Sequence, residues 1–307
     1  MIELRHLTED RLELAFGGDT FNTAVYLLRA GRAQGLRVDY ATALGDDPYS
    51  AAMRAFFERE GVGTGLVATL KGRLPGLYAI RTDERGERSF YYWRREAAAR
   101  DMFTGETGIA LARRLADYDW LYLSGITLSI LDEGARKRLM DALDAARARG
   151  ARVAFDSNYR PRGWESADAA RKAFAAVLER VDLALPTFCD EQVLHGDADP
   201  RATIRRLHAA GVAEIAVKDG DKAAFVSDRG AVLEIPPVRI RNVVDTTAAG
   251  DAFNGGYIAA RIAGHGVESA ARCAHCIAAA VVQHRGAIIP AAATPSLESI
   301  ASDQKRK

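Results

Sequence analysis

Between residues 100 and 290 short apolar runs alternate with longer amphipathic ones. Asp119-Trp120-Leu121-Tyr122-Leu123 and Ala151-Arg152-Val153-Ala154-Phe155-Asp156 read as buried strands, as do Val181–Leu185 and Glu214–Val217. The stretches Asp132–Arg149 and Ala167–Arg180 carry helical periodicity, and Gly150 stops the first. Alternation at this spacing predicts an α/β fold, a central and mostly parallel sheet flanked by helices. Ligands of such sheets bind beyond the carboxyl ends of the strands, so the residues after each apolar run draw attention first.

One segment breaks this rhythm. Within Gly65–Arg95, the period-two stretches Leu74–Ile80 and Ser89–Trp93 flank the polar turn Asp83-Glu84-Arg85-Gly86-Glu87. That pattern predicts a hairpin projecting as a small lid, or else an edge hairpin of the main sheet. Residues after about 292 read as a flexible tail.

Composition narrows the function classes. The 307 residues carry 42 Lys+Arg against 41 Asp+Glu, a net charge of +1, which is no electrostatic footprint for nucleic acid. Three cysteines do not make a disulfide scaffold, and the charged start Met1-Ile2-Glu3-Leu4-Arg5-His6 is unlike a signal peptide. The longest uncharged stretch, Trp120–Leu131, is too short to span a bilayer. A cytoplasmic globular protein is the expectation. Cys273-Ala274-His275-Cys276 lies inside an apolar helical pattern with no second cysteine pair, and reads as structural rather than metal-binding.

No Walker-type loop occurs, and Gly61-Val62-Gly63-Thr64-Gly65 has the wrong spacing for a dinucleotide site. The strongest chemical signal is Asp245-Thr246-Thr247-Ala248-Ala249-Gly250-Asp251, followed by an apolar-periodic run. Small residues let a ligand approach the backbone, and the unpaired N–H groups of a helix start bind anions. An acidic side chain there, Asp251, can act as a base beside the bound anion, or simply cap the helix.

This run resembles the D-T-x-G-A-G-D signature of the ribokinase-like (PfkB) carbohydrate kinases, with Ala248 where most of that family has Gly. Gly17-Gly18-Asp19-Thr20-Phe21-Asn22 and Thr42-Ala43-Leu44-Gly45-Asp46-Asp47 resemble its N-terminal substrate loop and following strand end. Other stretches resemble the branch acting on 2-keto-3-deoxygluconate: Leu74–Tyr78, Gly86–Arg94, Ser124–Leu131, Phe155–Arg162 and Arg285–Pro290. The resemblance implies a kinase domain over residues 1–292, its discontinuous lid drawn from about 1–16 and 65–96, and a tail at 293–307. It implies ATP with Mg²⁺, phosphorylation of the 6-hydroxyl of that sugar acid, and a homo-oligomer formed through the lid. A kinase of a neutral sugar (fructose or ribose) and a non-catalytic sugar-acid sensor are the alternatives.

By the same resemblance Asp251 is the base, and the Ala248, Ala249 and Gly250 amides form the anion hole. Gly18, Asn22, Tyr78, Tyr92, Arg94 and Arg160 bind the substrate. Arginine suits a carboxylate, and period two puts Tyr92 and Arg94 on one face of the lid strand, with Tyr78 on its partner. Lys218 and Gly220 in Val217-Lys218-Asp219-Gly220, together with His275, are the nucleotide candidates. Asp190 and Glu191 in Pro186-Thr187-Phe188-Cys189-Asp190-Glu191 are the Mg²⁺ candidates, acting largely through water. In that family a strand ending near Gly-Glu precedes the segment matching Met1-Ile2-Glu3-Leu4. The expectation is therefore a native start upstream, with the main sheet open where that strand belongs.

Overall fold

The computed structural model describes residues 1–82 and 88–304. The chain begins with β1 (Ile2–His6), β2 (Leu12–Phe16), α1 (Asp19–Ala30), β3 (Thr42–Leu44), α2 (Pro48–Arg59) and β4 (Val67–Thr69). The hairpin β5 (Leu77–Thr82) and β6 (Arg88–Trp93) follows, and then α3 (Gly105–Arg114), β7 (Trp120–Ser124), α4 (Gly125–Ile130) and α5 (Glu133–Ala148). Next come β8 (Arg152–Asp156), α6 (Ala167–Leu178), β9 (Leu183–Ala184), α7 (Phe188–His195), α8 (Pro200–Ala209) and β10 (Glu214–Val217). The chain closes with β11 (Ala224–Asp228), β12 (Val232–Ile235), α9 (Ala249–Ile262), α10 (Val267–Val281) and α11 (Leu297–Gln304).

The main sheet has the order β12-β11-β10-β9-β8-β7. Strands β7 to β10 run parallel, and β11 and β12 extend the sheet antiparallel. Alternate residues of each strand leave opposite faces, so both faces are apolar. Val153, Phe155, Ile215 and Val217 pack with Leu139, Phe174 and Ile204 of the helices on one side. Ala154, Leu183 and Ala216 pack with Tyr257, Ile258 and Ile277 on the other. Burying each large aliphatic or aromatic side chain is worth about 1.5–3 kcal/mol, which holds the three layers together.

The supporting helices start where the local sequence says they should. Asp47, Asp132, Ser166 and Asp199 cap α2, α5, α6 and α8 with side-chain acceptors, and Pro48 and Pro200 take first-turn positions that need no N–H donor. By contrast α1 and α9 have no side-chain cap, and both begin at the candidate site. These two helices pack tightly along their length. A Cβ on Gly255 would lie 2.6 Å from the Leu27 nitrogen and 2.7 Å from the Thr23 oxygen, so only glycine permits this approach.

The lid is a four-stranded sheet of order β2-β1-β5-β6. Its second part begins at Leu77, not near residue 65: β4 pairs parallel with β3 in the body, because Val67 and Leu66 are buried there. The turn read at 83–87 lies outside the described residues. The expected tail is also corrected, since α11 docks on the core through Leu297 and Ile300, 3% and 5% exposed.

Among the described residues β7 pairs only with β8, and β3 only with β4. A cavity of about 850 Å³ lies between these strands, walled by Leu121 and Leu123, Ala43 and Leu44, and Leu143 of α5. It runs on to Gly18, Asp19 and Arg94 at the strand ends.

Candidate active site

The start of α9, the candidate anion site, has no side-chain cap. Ala248 adopts the left-handed conformation (φ 61°, ψ 12°), turning the chain so that the helix begins at Ala249. Asp245 holds this turn, its carboxylate accepting from the Thr247 N–H (2.8 Å) and the Gly286 N–H (2.9 Å). Gly250 leaves room: the nearest atom to a Cβ there would be Lys218 Nζ at 3.9 Å. Asp251 sits in the first turn of α9, and Asn22 Nδ2 donates to its Oδ2 (2.9 Å) across 229 residues of sequence.

Asp251 is crowded by charge. Desolvation, reinforced by the nearby Asp19 carboxylate, pushes its pKa up to about 7 against the opposing Asn22 bond. A carboxyl with this pKa is matched to accepting a proton near neutrality.

Behind it lies a buried polar network that sequence reasoning missed. Asp156, at the carboxyl end of β8, accepts from Lys218 Nζ (2.8 Å) and Asn254 Nδ2 (2.7 Å). Lys218 also donates to Asn254 Oδ1 (2.7 Å), and Asn254 Nδ2 donates to the Tyr122 hydroxyl (3.0 Å). Lys218 thus lies beside the start of α9, pinned to a carboxylate. Gly220 takes the left-handed turn after β10 (φ 60°) with open space around it. The rule that ligands gather at strand ends could have found Asp156, though not its buried partners.

The other end of the cleft is basic. Tyr78 and Tyr92 face each other in the lid register, with ring centroids 6.0 Å apart. The Arg94 guanidinium lies 4.8 Å from the Tyr92 centroid, as the shared face predicts. Arg94 Nη2 also reaches the turn after Arg160, 3.7 Å from where a Gly163 Cβ would stand. Tyr78 enters the site, since its hydroxyl would be 3.5 Å from a Gly17 Cβ. That hydroxyl donates to Glu3, and burial with the Glu3 charge raises its pKa.

Two sets of expected residues are placed differently. His275, a nucleotide candidate, is engaged within the fold: its ring is buried edge-on against Phe253, its Nε2–H donates to the Ile235 carbonyl (3.2 Å), and burial lowers its pKa. Asp190 does not stand free for a metal, because Arg160 Nη1 donates to both its oxygens (3.1 and 3.0 Å). Glu191 is 2% exposed and accepts from Arg206 Nη2 at 2.6 Å. Acidic side chains beside arginines in a folded chain pair with them, a preference no spacing reveals. Among the described residues no group of three or more His, Cys, Asp or Glu is arranged to hold a metal. Cys189, Cys273 and Cys276 are all free thiols.

An aspartate of raised pKa at an uncapped helix start, beside the carboxyl ends of a parallel sheet, is an arrangement that suits a phosphotransferase. The chain belongs to the pfkB family of carbohydrate kinases, which matches residues 3–294. Within that family it is 46% identical over 299 residues to the 2-dehydro-3-deoxygluconokinase of Dickeya dadantii (strain 3937), covering 96% of each chain. It is 44% identical over 299 residues to the 2-dehydro-3-deoxygluconokinase of Escherichia coli K12, again covering 96% of each. Among solved structures it resembles a fructokinase with bound ATP from Xylella fastidiosa, with a TM-score of 0.83 at 23% identity over 100% of this chain and 97% of that one; this likeness is one of fold. No helix among the described residues is long and apolar enough to cross a membrane.

Proposed function

We propose that this chain transfers the γ-phosphoryl group of ATP to the 6-hydroxyl of 2-keto-3-deoxygluconate (2-dehydro-3-deoxygluconate). The names of its 44–46% identical relatives support that substrate. The observation that carries the reading is the polarity of the cleft. Asp251 stands at an uncapped helix start, held by Asn22 of α1, and the cavity that reaches Gly18 and Asp19 at the start of α1 also reaches Arg94, whose guanidinium approaches the turn after Arg160. A sugar acid has a carboxylate for the arginines, and a neutral sugar has none.

Asp251, held through Oδ2 by Asn22, takes the proton of the 6-hydroxyl as its oxygen attacks the γ-phosphorus. The bond to the β,γ-bridging oxygen breaks, and its electron pair leaves with ADP. The Ala249 and Gly250 amides face the charge on the transferred group, a preorganised role that needs little reorganisation during the reaction. Mg²⁺, when bound, offsets charge on the β and γ phosphates. Among the described residues no three His, Cys, Asp or Glu are grouped to hold it, so Mg²⁺ would be held largely through phosphate oxygens and water, as it commonly is.

The decisive assay compares ATP-dependent phosphorylation of 2-keto-3-deoxygluconate, fructose and ribose. Preference for the sugar acid is expected; preference for fructose or ribose would sink this reading. The lid supports assembly as well. Leu14, Leu4, Ala79 and Tyr91 align across its four strands on one face, with Trp93 at 62% exposure. Homo-oligomers through this face would dissociate on Trp93→Glu, read by size-exclusion chromatography.

A further inference from the structure

We propose that Asn254 is a positioning residue for the transfer reaction: its side-chain amide holds the Lys218 ammonium against the start of α9, so that a positive charge stands near the base Asp251. The role rests on the kinase reading above, because Asn254 acts through Lys218 on the base which that reading assigns.

Asn254 follows Asp251 by three residues on α9, so the two share one helix face. It is 0% exposed, between the buried Phe253 and Gly255. An amide inside a buried helix is unfavourable unless its donors and its acceptor all find partners. Here they do. Asn254 Oδ1 accepts from Lys218 Nζ (2.7 Å), while Nδ2 donates to Asp156 Oδ2 (2.7 Å) and to the Tyr122 hydroxyl (3.0 Å). Lys218 directly follows β10, Asp156 closes β8 and Tyr122 lies in β7, so one side chain ties the helix of the base to three strands. Thr23 of α1 holds Tyr122 as well, its hydroxyl donating to the phenol oxygen at 3.4 Å.

The position selects an amide. A carboxylate there would meet Lys218 but repel Asp156, an ammonium would do the reverse, and an apolar side chain would meet neither. Asp156 has a second anchor, since its Oδ1 accepts from the Asn158 N–H (3.0 Å). Lys218 has Asn254 on α9 and Asp156 on the sheet as its two acceptors, the latter at 2.8 Å. Its Nζ would lie 3.9 Å from a Cβ on Gly250, in the first turn of the same helix. Removing the amide therefore leaves Asp156 in place and lets Lys218 fall back on it, away from α9. Lys218 favours the ionised form of Asp251 and Asp156 opposes it, so the base is then left with the weaker positive neighbour.

The test is Asn254→Ala, with Asn254→Ser as a second variant should the first fold poorly. The groups facing Asp251 are Asp19, Asn22 and Tyr26 of α1, Tyr78 of the lid, Tyr122, Asp156 and Lys218, while Arg160 and Asp190 face Asp156 in turn. Either substitution leaves all of these side chains in the protein and removes or shortens only the link between them. At neutral pH kcat for 2-keto-3-deoxygluconate should fall about tenfold or more, with the KM for the sugar acid unchanged. The acidic limb of kcat/KM, set by Asp251 at about 7, should move to higher pH. Loss of a merely structural hydrogen bond would lower Tm without moving that limb. A wild type that turns over no sugar acid removes the kinase reading itself, and the role of Asn254 with it. An active wild type whose folded variants keep the limb in place, or shift it to lower pH, overturns only the role of Asn254.

Discussion

The end of the cleft around Asp251 and the end around Arg94 and Arg160 are tied into the fold in different ways. At the acidic end every group is anchored by buried partners: Asn22 on Asp251, and Lys218 and Asn254 on Asp156, between helices that touch at Gly255. At the basic end Arg94 lies one residue past β6, beside a Tyr92 that is 46% exposed. The Arg160 side chain is 49% exposed and pairs with Asp190. Under the proposed function the difference follows from the tasks. Charge developing in a transition state is best met by groups already in place. A grip on a carboxylate must release product, and exposed ion pairs worth about 0–1 kcal/mol are readily exchanged for a ligand.

The largest expected effect breaks the anchored end. Asp251→Asn should lower kcat by about 10²–10⁴, with ATP still bound in a direct binding measurement; full turnover would end the proposed mechanism. In the wild type, kcat/KM should fall as pH drops through about 7, where Asp251 becomes protonated. The same pKa carries a sign for stability. The folded-state value lies above the ordinary 3.8, so ionising Asp251 costs stability, fully so above pH 7. Asp251→Asn should therefore raise Tm at pH 8, and the gain should shrink as pH falls toward 4, which thermal melts at both pH values would check.

A smaller effect is expected at the exchangeable end. Arg94→Ala and Arg160→Ala should each raise the KM for the sugar acid about tenfold or more, leaving the KM for ATP nearly unchanged; an unchanged acid KM in both would refute the carboxylate site. Asp190→Asn sharpens the point, because it releases Arg160 without touching the base. Its dependence on Mg²⁺ concentration should match the wild type, and a large rise in the Mg²⁺ requirement would restore Asp190 as a metal ligand.

The smallest change tests the turn between the two ends. Ala248 holds a left-handed conformation that disfavours any Cβ by about 1–2 kcal/mol, partly offset by the backbone entropy a glycine would lose. Ala248→Gly should therefore stabilise by about 1 kcal/mol or less and leave kcat intact. A fall in Tm would mean that the methyl group packs favourably there.

Local pattern determined the parts whose cause is local. The apolar runs specified strands β7 to β10, because a strand buried on both faces needs nothing else to be recognised. Small residues ahead of an apolar-periodic run specified the open start of α9 and the candidate base Asp251. Period two put Tyr92 and Arg94 on one face of the lid strand, while the pairing that sets Tyr78 opposite Tyr92 came from the fold. Tertiary structure alone decided what each polar side chain meets. Asp19 is joined to Asn158 across 139 residues, and Lys218 to Asp156 across 62. Arg160 is claimed by Asp190, Arg206 by Glu191, and the His275 ring by Phe253. The two halves differ for a physical reason. Backbone conformation and burial periodicity are set by neighbours a few residues away, whereas a buried charge or donor must find its partner wherever the packed helices and strands bring one.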